Sequence, residues 1–321
     1  MSNTASSTFW CVSLNPAIDK RMRMAQLVPG SANRVRDVQA HPGGKAAHVA
    51  MSLRALGANP LWLGFAGGST GDELLRGLED LSIQTQAVRV GQNTRVNLEI
   101  ISDDGCVTEI LEPGAPVAEK YWGVFFETYA TLLSQEKRSG IVLASGSLPR
   151  DAATNAYAEI IEVAHRCGHK IFLDTSGEPM RLALSAGPDF VKPNREEAEW
   201  LIGEEIRDCR SAKAAVHRLI ELGARSAAVS LGHQGLVWRS AARQDFYYAQ
   251  PPSLSAKSSV GSGDAAMAGF AYAAAREFDV EKTLRLATAC GAANCRADAP
   301  GQLRERDVRA FEPQVRIERL M

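Results

Sequence analysis

Near the C-terminal end, Val260–Gly261–Ser262–Gly263–Asp264 runs into Ala265–Ala266–Met267–Ala268–Gly269–Phe270. Gly261 and Gly263 permit a tight turn, and the small-residue run behind them predicts a helix. Backbone N–H groups at a helix start have no partner within the helix and favour an anion. Asp264, in that first turn, has two readings. It caps the helix and complements its dipole, or it accepts the proton of a hydroxyl while the neighbouring amides hold phosphoryl oxygens.

Four further segments carry chemistry-bearing side chains. In Lys192–Pro193–Asn194–Arg195–Glu196–Glu197, Asn194 and Glu197 lie three apart at a predicted helix start. They could hold Mg²⁺ through waters or form a capping box. Ser230–Leu231–Gly232–His233–Gln234–Gly235 ends a predicted strand and is either a phosphate cradle or a hairpin turn into Leu236 to Arg239. Pro42–Gly43–Gly44–Lys45 leads into a helix containing His48. The glycine pair lets a ligand approach the backbone, and Lys45 and His48 share a helical face. In Thr94–Arg95–Val96–Asn97, strand alternation puts Arg95 and Asn97 on one face. A guanidinium beside an amide suits a sugar phosphate, although an arginine on a half-exposed strand also serves as solvated surface.

Other patterns are set aside. Gly261-x-Gly263-x-x-Ala266 matches a loose dinucleotide fingerprint, but no ribose-binding acid follows at the required distance after a strand. Gly67–Gly68–Ser69–Thr70–Gly71 lacks the Gly-Lys-Ser/Thr ending of a Walker A loop, and no G-x-S-x-G elbow exists. His165 and His169 flank Gly168 with no third metal ligand nearby.

These residues need a frame to hold them. Phe9 to Leu14, Pro60 to Phe65, Gly140 to Ala144, Lys170 to Asp174, Phe190 to Lys192 and Ser226 to Leu231 are short apolar runs that predict strands buried on both faces. Lys45 to Leu56, Asp72 to Leu81, Ala152 to His165 and Ala212 to Leu222 carry apolar residues at helical spacing. Such alternation predicts a parallel sheet between helical layers. Arg34 to Ala40 and Gln86 to Glu112 instead show polar alternation with turn signals, which predicts a small open sheet beside the main one. Placed next to a cleft, it would exclude water as a lid.

The 321 residues include 36 Lys+Arg and 37 Asp+Glu, so no basic excess points to nucleic acid or an anionic membrane. No apolar run approaches the roughly 20 residues of a membrane span. Met1 to Thr8 is polar and uncharged, unlike a signal peptide. The six cysteines are scattered without a C-x-x-C pair and read as reduced thiols, so a cytoplasmic location is expected. With no repeat and no low-complexity linker, residues 1–321 are expected to form one domain, with a lid from about 15–40 and 86–112.

Taken in order, the motifs resemble the ribokinase-like (PfkB-type) sugar kinases, in the branch holding 1-phosphofructokinase and tagatose-6-phosphate kinase. Leu14–Asn15–Pro16–Ala17–Ile18–Asp19 is similar to that branch's opening N-P-A-x-D, and Pro42 to Lys45 to its first glycine signature. Thr94 to Asn97 is similar to its T-R-x-N clamp, and Ser145–Gly146–Ser147–Leu148–Pro149 to its S-G-S-L-P. Asp174 to Glu178 matches D-x-S-G-E, Asn194 with Glu197 the N-x-x-E magnesium element, Ser230 to Gly235 the nucleotide loop and Gly261 to Asp264 the G-x-G-D signature.

The resemblance implies an α/β fold, a ribokinase-like three-layer α/β/α sandwich with a mostly parallel central sheet and a small β-sheet lid. It implies ATP and Mg²⁺ as cofactors, a phosphohexose acceptor, and a homodimer through the lid. Asp264 becomes the base with Gly261 and Gly263 as the anion hole. Asp19, Gly43, Gly44, Lys45, His48, Arg95, Asn97, Gly146 and Ser147 would bind the sugar phosphate. Lys192, Asn194, Ser230, Gly232, Gly235, Gly261, Ser262 and Gly263 would bind ATP, and Asn194 and Glu197 the metal. One departure stands out. The branch reads G-G-K-G-x-N where this chain has Gly43–Gly44–Lys45–Ala46–Ala47–His48. The Ala46 methyl is expected beside the sugar, and a neutral His48 would donate and accept in place of the amide.

Overall fold

The computed structural model describes residues 8–320, so the polar stretch before Thr8 lies outside the described residues. The strands are β1 (Phe9–Ser13), β2 (Ala17–Met24), β3 (Asp37–Gly43), β4 (Pro60–Gly67), β5 (Gln84–Val90), β6 (Arg95–Ser102) and β7 (Val107–Leu111). They continue as β8 (Ile141–Ser145), β9 (Lys170–Asp174), β10 (Phe190–Val191), β11 (Ser226–Ser230), β12 (Leu236–Ser240), β13 (Phe246–Gln250) and β14 (Arg316–Leu320). The helices are α1 (Lys45–Ala55), α2 (Gly68–Asp80), α3 (Glu119–Gln135), α4 (Ala156–Arg166), α5 (Gly177–Leu184) and α6 (Arg195–Ile202). After them come α7 (Cys209–Glu221), α8 (Ser262–Ala274), α9 (Val280–Asn294) and α10 (Glu305–Phe311).

Ten strands form one sheet in the order β14-β13-β12-β11-β10-β9-β8-β1-β4-β5, parallel from β11 to β5 and antiparallel beyond. Successive side chains of β1 enter opposite cores. Phe9 and Cys11 pack with α1, α8 and α9, and Trp10 and Val12 with α3 and α4. Burial on both faces is why these strands read as continuous apolar runs. Four more strands make a small sheet in the order β3-β2-β6-β7. Its parallel β2–β6 pairing sets Ala17 opposite Arg95 and Asp19 opposite Asn97.

Helix α8 is buried along nearly its whole length, which explains its alanine-rich sequence. A Cβ on Gly269 would stand 2.7 Å from the Ala287 Cα, so glycine there sets how closely α8 and α9 pack. This packing fixes the amino end of α8 over the carboxyl ends of the parallel strands.

Two expectations need correction. Gln84–Val90 pairs in parallel with β4 and belongs to the large sheet, so the small sheet takes only the later part of the 86–112 segment. An edge strand alternates in burial just as a strand of a half-exposed sheet does, and the two cannot be told apart by pattern. Helix α2 starts at Gly68, within the glycine run, where a Cβ would collide with the Asn93 side chain and the backbone takes φ +61°.

Candidate active site

A cavity of about 1860 Å³ lies between the small sheet and the carboxyl ends of β8, β9, β10 and β11. Ligands of open α/β sheets bind at such strand ends. All the site residues predicted from the sequence line it except Gly43. Gly43 acts one step back, since a Cβ there would run into the Asp19 carboxylate. Gly44, at φ +83°, starts α1 and turns its N–H to Asp19.

Where the small sheet borders the cavity, Asn97 Nδ2 donates to Asp19 Oδ1 at 2.9 Å, and Asn97 Oδ1 is buried without a partner in the chain. Arg95 donates from Nε and Nη2 to the Asn15 carbonyl at 3.2 and 3.1 Å, and from Nη1 to the Glu112 carbonyl at 2.7 Å. A guanidinium has five N–H groups, so two remain for a ligand. Ser147 Oγ accepts from Asn15 Nδ2 at 3.0 Å. Gly146 (φ +115°) closes the turn, donating its N–H to the Asp174 carbonyl and accepting from the Tyr157 hydroxyl.

His48 is buried between two carboxylates. Its Nε2 lies 2.8 Å from Asp19 Oδ2 and its Nδ1 lies 2.8 Å from Asp264 Oδ2. Burial opposes the charged ring, but hydrogen bonds and charge from Asp19 and Asp264 outweigh it and raise its pKa from 6.5 to about 10. For Asp19, burial raises the pKa, but His48, Asn97 and the Gly44 amide together outweigh it and leave a net lowering. Both ring nitrogens thus face carboxylate oxygens, whereas the sequence reading expected a neutral ring that donates and accepts. Ala46 also departs from expectation. Its methyl is fully buried in the core with Phe9 and Ala50 and does not line the cavity.

No side chain caps α8, whose first residue follows Gly261 in the left-handed region (φ +78°). Asp264 turns one carboxylate oxygen to His48, and its place in the first turn also complements the helix dipole. A Cβ on Gly263 would sit 3.1 Å from Lys192 Nζ, so this glycine lets the ammonium reach the amino end of α8. Asn194 and Glu197 do form the capping box, each accepting from the other's backbone N–H at 2.9 Å. The Ser230–Gly235 segment is indeed the turn of the β11–β12 hairpin, and it lines the cavity as well.

Three contributors carry no site role in the sequence reading. Asp174, at the end of β9, is paired with Lys45 at 2.7 Å and Lys192 at 3.0 Å. Burial raises its pKa, but the two ammonium groups outweigh that and lower it. A charged residue closing an apolar strand was its signal. Asn294 donates to the Val260 carbonyl and accepts from the Gly301 N–H, both at 2.8 Å, tying the turn before α8 to the one that packs on His48. Glu99 accepts from Ser258 Oγ at 2.6 Å and pairs with Arg21 at 2.7 Å, linking the small sheet to the approach to Gly261. Neither of these last two had a local signal.

The donor set for a metal is sparse. Among the described residues no group of three His, Cys, Asp or Glu is placed to hold an ion. Glu197 faces the cavity with Oε1, 3.3 Å from Lys45, while Oε2 is spent on the cap. This fits Mg²⁺ carried by nucleotide phosphates and touched through water, the usual arrangement for that ion, rather than a protein cage.

A profile of pfkB family carbohydrate kinases matches residues 12–303. A 1-phosphofructokinase of Xanthomonas campestris is 34% identical over 285 residues, covering 87% of this chain and 88% of that protein. The 1-phosphofructokinase of Escherichia coli K12 is 32% identical over 282 residues, covering 88% of each. Among solved structures, Escherichia coli phosphofructokinase-2 in complex with fructose-6-phosphate superposes with a TM-score of 0.85 at 25% identity, covering 96% of this chain and 99% of that one. The chain belongs to the pfkB family of carbohydrate kinases and is, by that membership, a sugar kinase.

Proposed function

We propose that the protein transfers the γ-phosphoryl of MgATP to a hydroxyl of a phosphohexose, with Asp264 as general base. Fructose 1-phosphate, tagatose 6-phosphate and fructose 6-phosphate are the acceptors to test first. One observation carries the reading. The Asp264 carboxylate stands at the uncapped amino end of α8, in the same cleft as Arg95 and Asn97. The acceptor hydroxyl gives its proton to Asp264 as its oxygen attacks the γ-phosphorus in line. The Gly261–Gly263 amides and Lys192 meet the charge on the transferred group. Mg²⁺ would supply further charge neutralisation on the phosphates, with Glu197 holding its waters. The small sheet acts as a lid that keeps bulk water from the phosphoryl group. Its exposed apolar residues support pairing of two copies through that sheet.

ADP release measured across hexoses and hexose phosphates tests this. One phosphohexose should stimulate turnover, and Asp264→Asn should lower kcat by about 10²–10⁴-fold. Binding without ADP release for any acceptor would indicate a sugar-phosphate sensor instead. A second reading, an unphosphorylated hexose or nucleoside acceptor, is favoured by the engagement of Arg95 with two backbone carbonyls. Arg95→Ala separates the two. Loss of a charge-assisted bond of about 1.5–3 kcal/mol should raise KM for a phosphohexose about ten- to hundredfold, whereas an unchanged KM supports the second reading.

A further inference from the structure

The geometry points to a role for His48 that neither its motif nor its family position supplies. We propose that His48 is a positioning residue for the transfer, a charged imidazole that bridges Asp19 and Asp264 and fixes which oxygen of Asp264 meets the acceptor. The proposal rests on the reading of Asp264 as base.

The argument begins with protons. A neutral imidazole has one N–H and one lone pair. With both ring nitrogens 2.8 Å from carboxylate oxygens, a neutral ring would aim its lone pair at a carboxylate. Two such contacts need two protons, and an imidazolium supplies both. His48 is 5% exposed, and the Gly301 turn packs on its backbone, where a Cβ would meet it at 2.7 Å. The two carboxylates come from β2 and α8, and at longer range His41 of β3 and Glu109 of β7 act electrostatically with His48. Lys45, one turn earlier on α1, is committed to Asp174 and Glu197.

The consequences concern both ends of the bridge. Asp264 Oδ2 is occupied, so Oδ1 is the oxygen left to take the hydroxyl proton. Asp19 accepts from His48, Asn97 and the Gly44 amide, which makes it an anchor with little capacity left for the sugar. Because β2 belongs to the small sheet and α8 packs on the large one, the bridge couples the position of the small sheet to that of the base. The asparagine that the branch carries at this position would not make the same bridge. Its donors sit on one nitrogen, and its carbonyl would face a carboxylate.

Ring ¹⁵N spectra of histidine-labelled protein test the bridge without reference to turnover. At about pH 8.5, where a free histidine is neutral, both His48 nitrogens should be protonated. Asp264→Asn and Asp19→Asn should each bring the ring's titration into the range of about pH 6–9. In kinetics, His48→Asn should lower kcat about ten- to hundredfold while KM for MgATP stays within about twofold. A neutral ring in the wild type, or a wild-type kcat in His48→Asn, overturns the proposal. Should His48→Asn fail to fold, the wild-type spectra decide. Undiminished turnover in Asp264→Asn would overturn the base reading alone, with the ring spectra still reporting whether the bridge exists.

Discussion

Asp19, His48 and Asp264 come from β2, α1 and α8, and the fold brings them together across 216 residues of chain between His48 and Asp264. The raised pKa of His48 means that the folded protein binds this proton more tightly than the unfolded chain does. The resulting stabilisation is complete below pH 6.5 and is lost as pH rises through about 10. Thermal unfolding followed across that window should therefore show the wild type losing stability relative to His48→Asn, and parallel profiles for the two would refute the linkage. Residue types and spacing made the Asp264 signature, the glycine pair and the Arg95–Asn97 face legible. They could not show that Asp264 meets His48 at 2.8 Å, because sequence spacing holds no such distance. For the same reason Ala46, two residues before His48 on α1, read as a pocket residue when its methyl lies in the core.

Elements were legible wherever burial is uniform. The central strands β1, β8 and β9 fall within a residue of expectation because both faces are apolar. The β2 strand is harder to read, since Asp19 on the face toward the cavity and Lys20 on the other interrupt its apolar residues. Arg21, 3% exposed, is the surprise within it, pairing with Glu99 and also donating to the Asp298 carbonyl. From this pair the small sheet reaches the loop before α8, because Ser258 Oγ donates to Glu99 and accepts from the Val260 N–H at 3.1 Å. Replacing Ser258 by alanine leaves one oxygen of a buried carboxylate short of a donor and frees the turn that precedes Gly261. We expect a loss of about 1.5–3 kcal/mol of stability together with a higher KM for ATP, measured by denaturant unfolding and initial rates. Loss of stability with nucleotide kinetics intact would show the link to be structural only.

At the scale of the molecule, the two sheets differ in how their surfaces are covered. The large sheet carries helices on both faces, so its central strands expose little. The small sheet has open edges at β3 and β7, and Val28, Val35, Val38, Ile110 and Leu111, all in or beside it, are exposed by 39–59%. Open strand edges with apolar side chains are surfaces that proteins cover, and a second copy of the same sheet supplies matching edges and apolar groups through a two-fold axis. A pairing of this kind would also bear on catalysis, since β2 carries Asp19 and any constraint on the small sheet passes through His48 to Asp264. Sedimentation equilibrium should give twice the chain mass for the wild type and the chain mass for Val38→Glu/Ile110→Glu. Neither side chain touches the His48 bridge, so a folded monomer with reduced kcat would show that the second copy steadies the site. A wild type that sediments as a single chain at all concentrations would show that the small sheet stands uncovered.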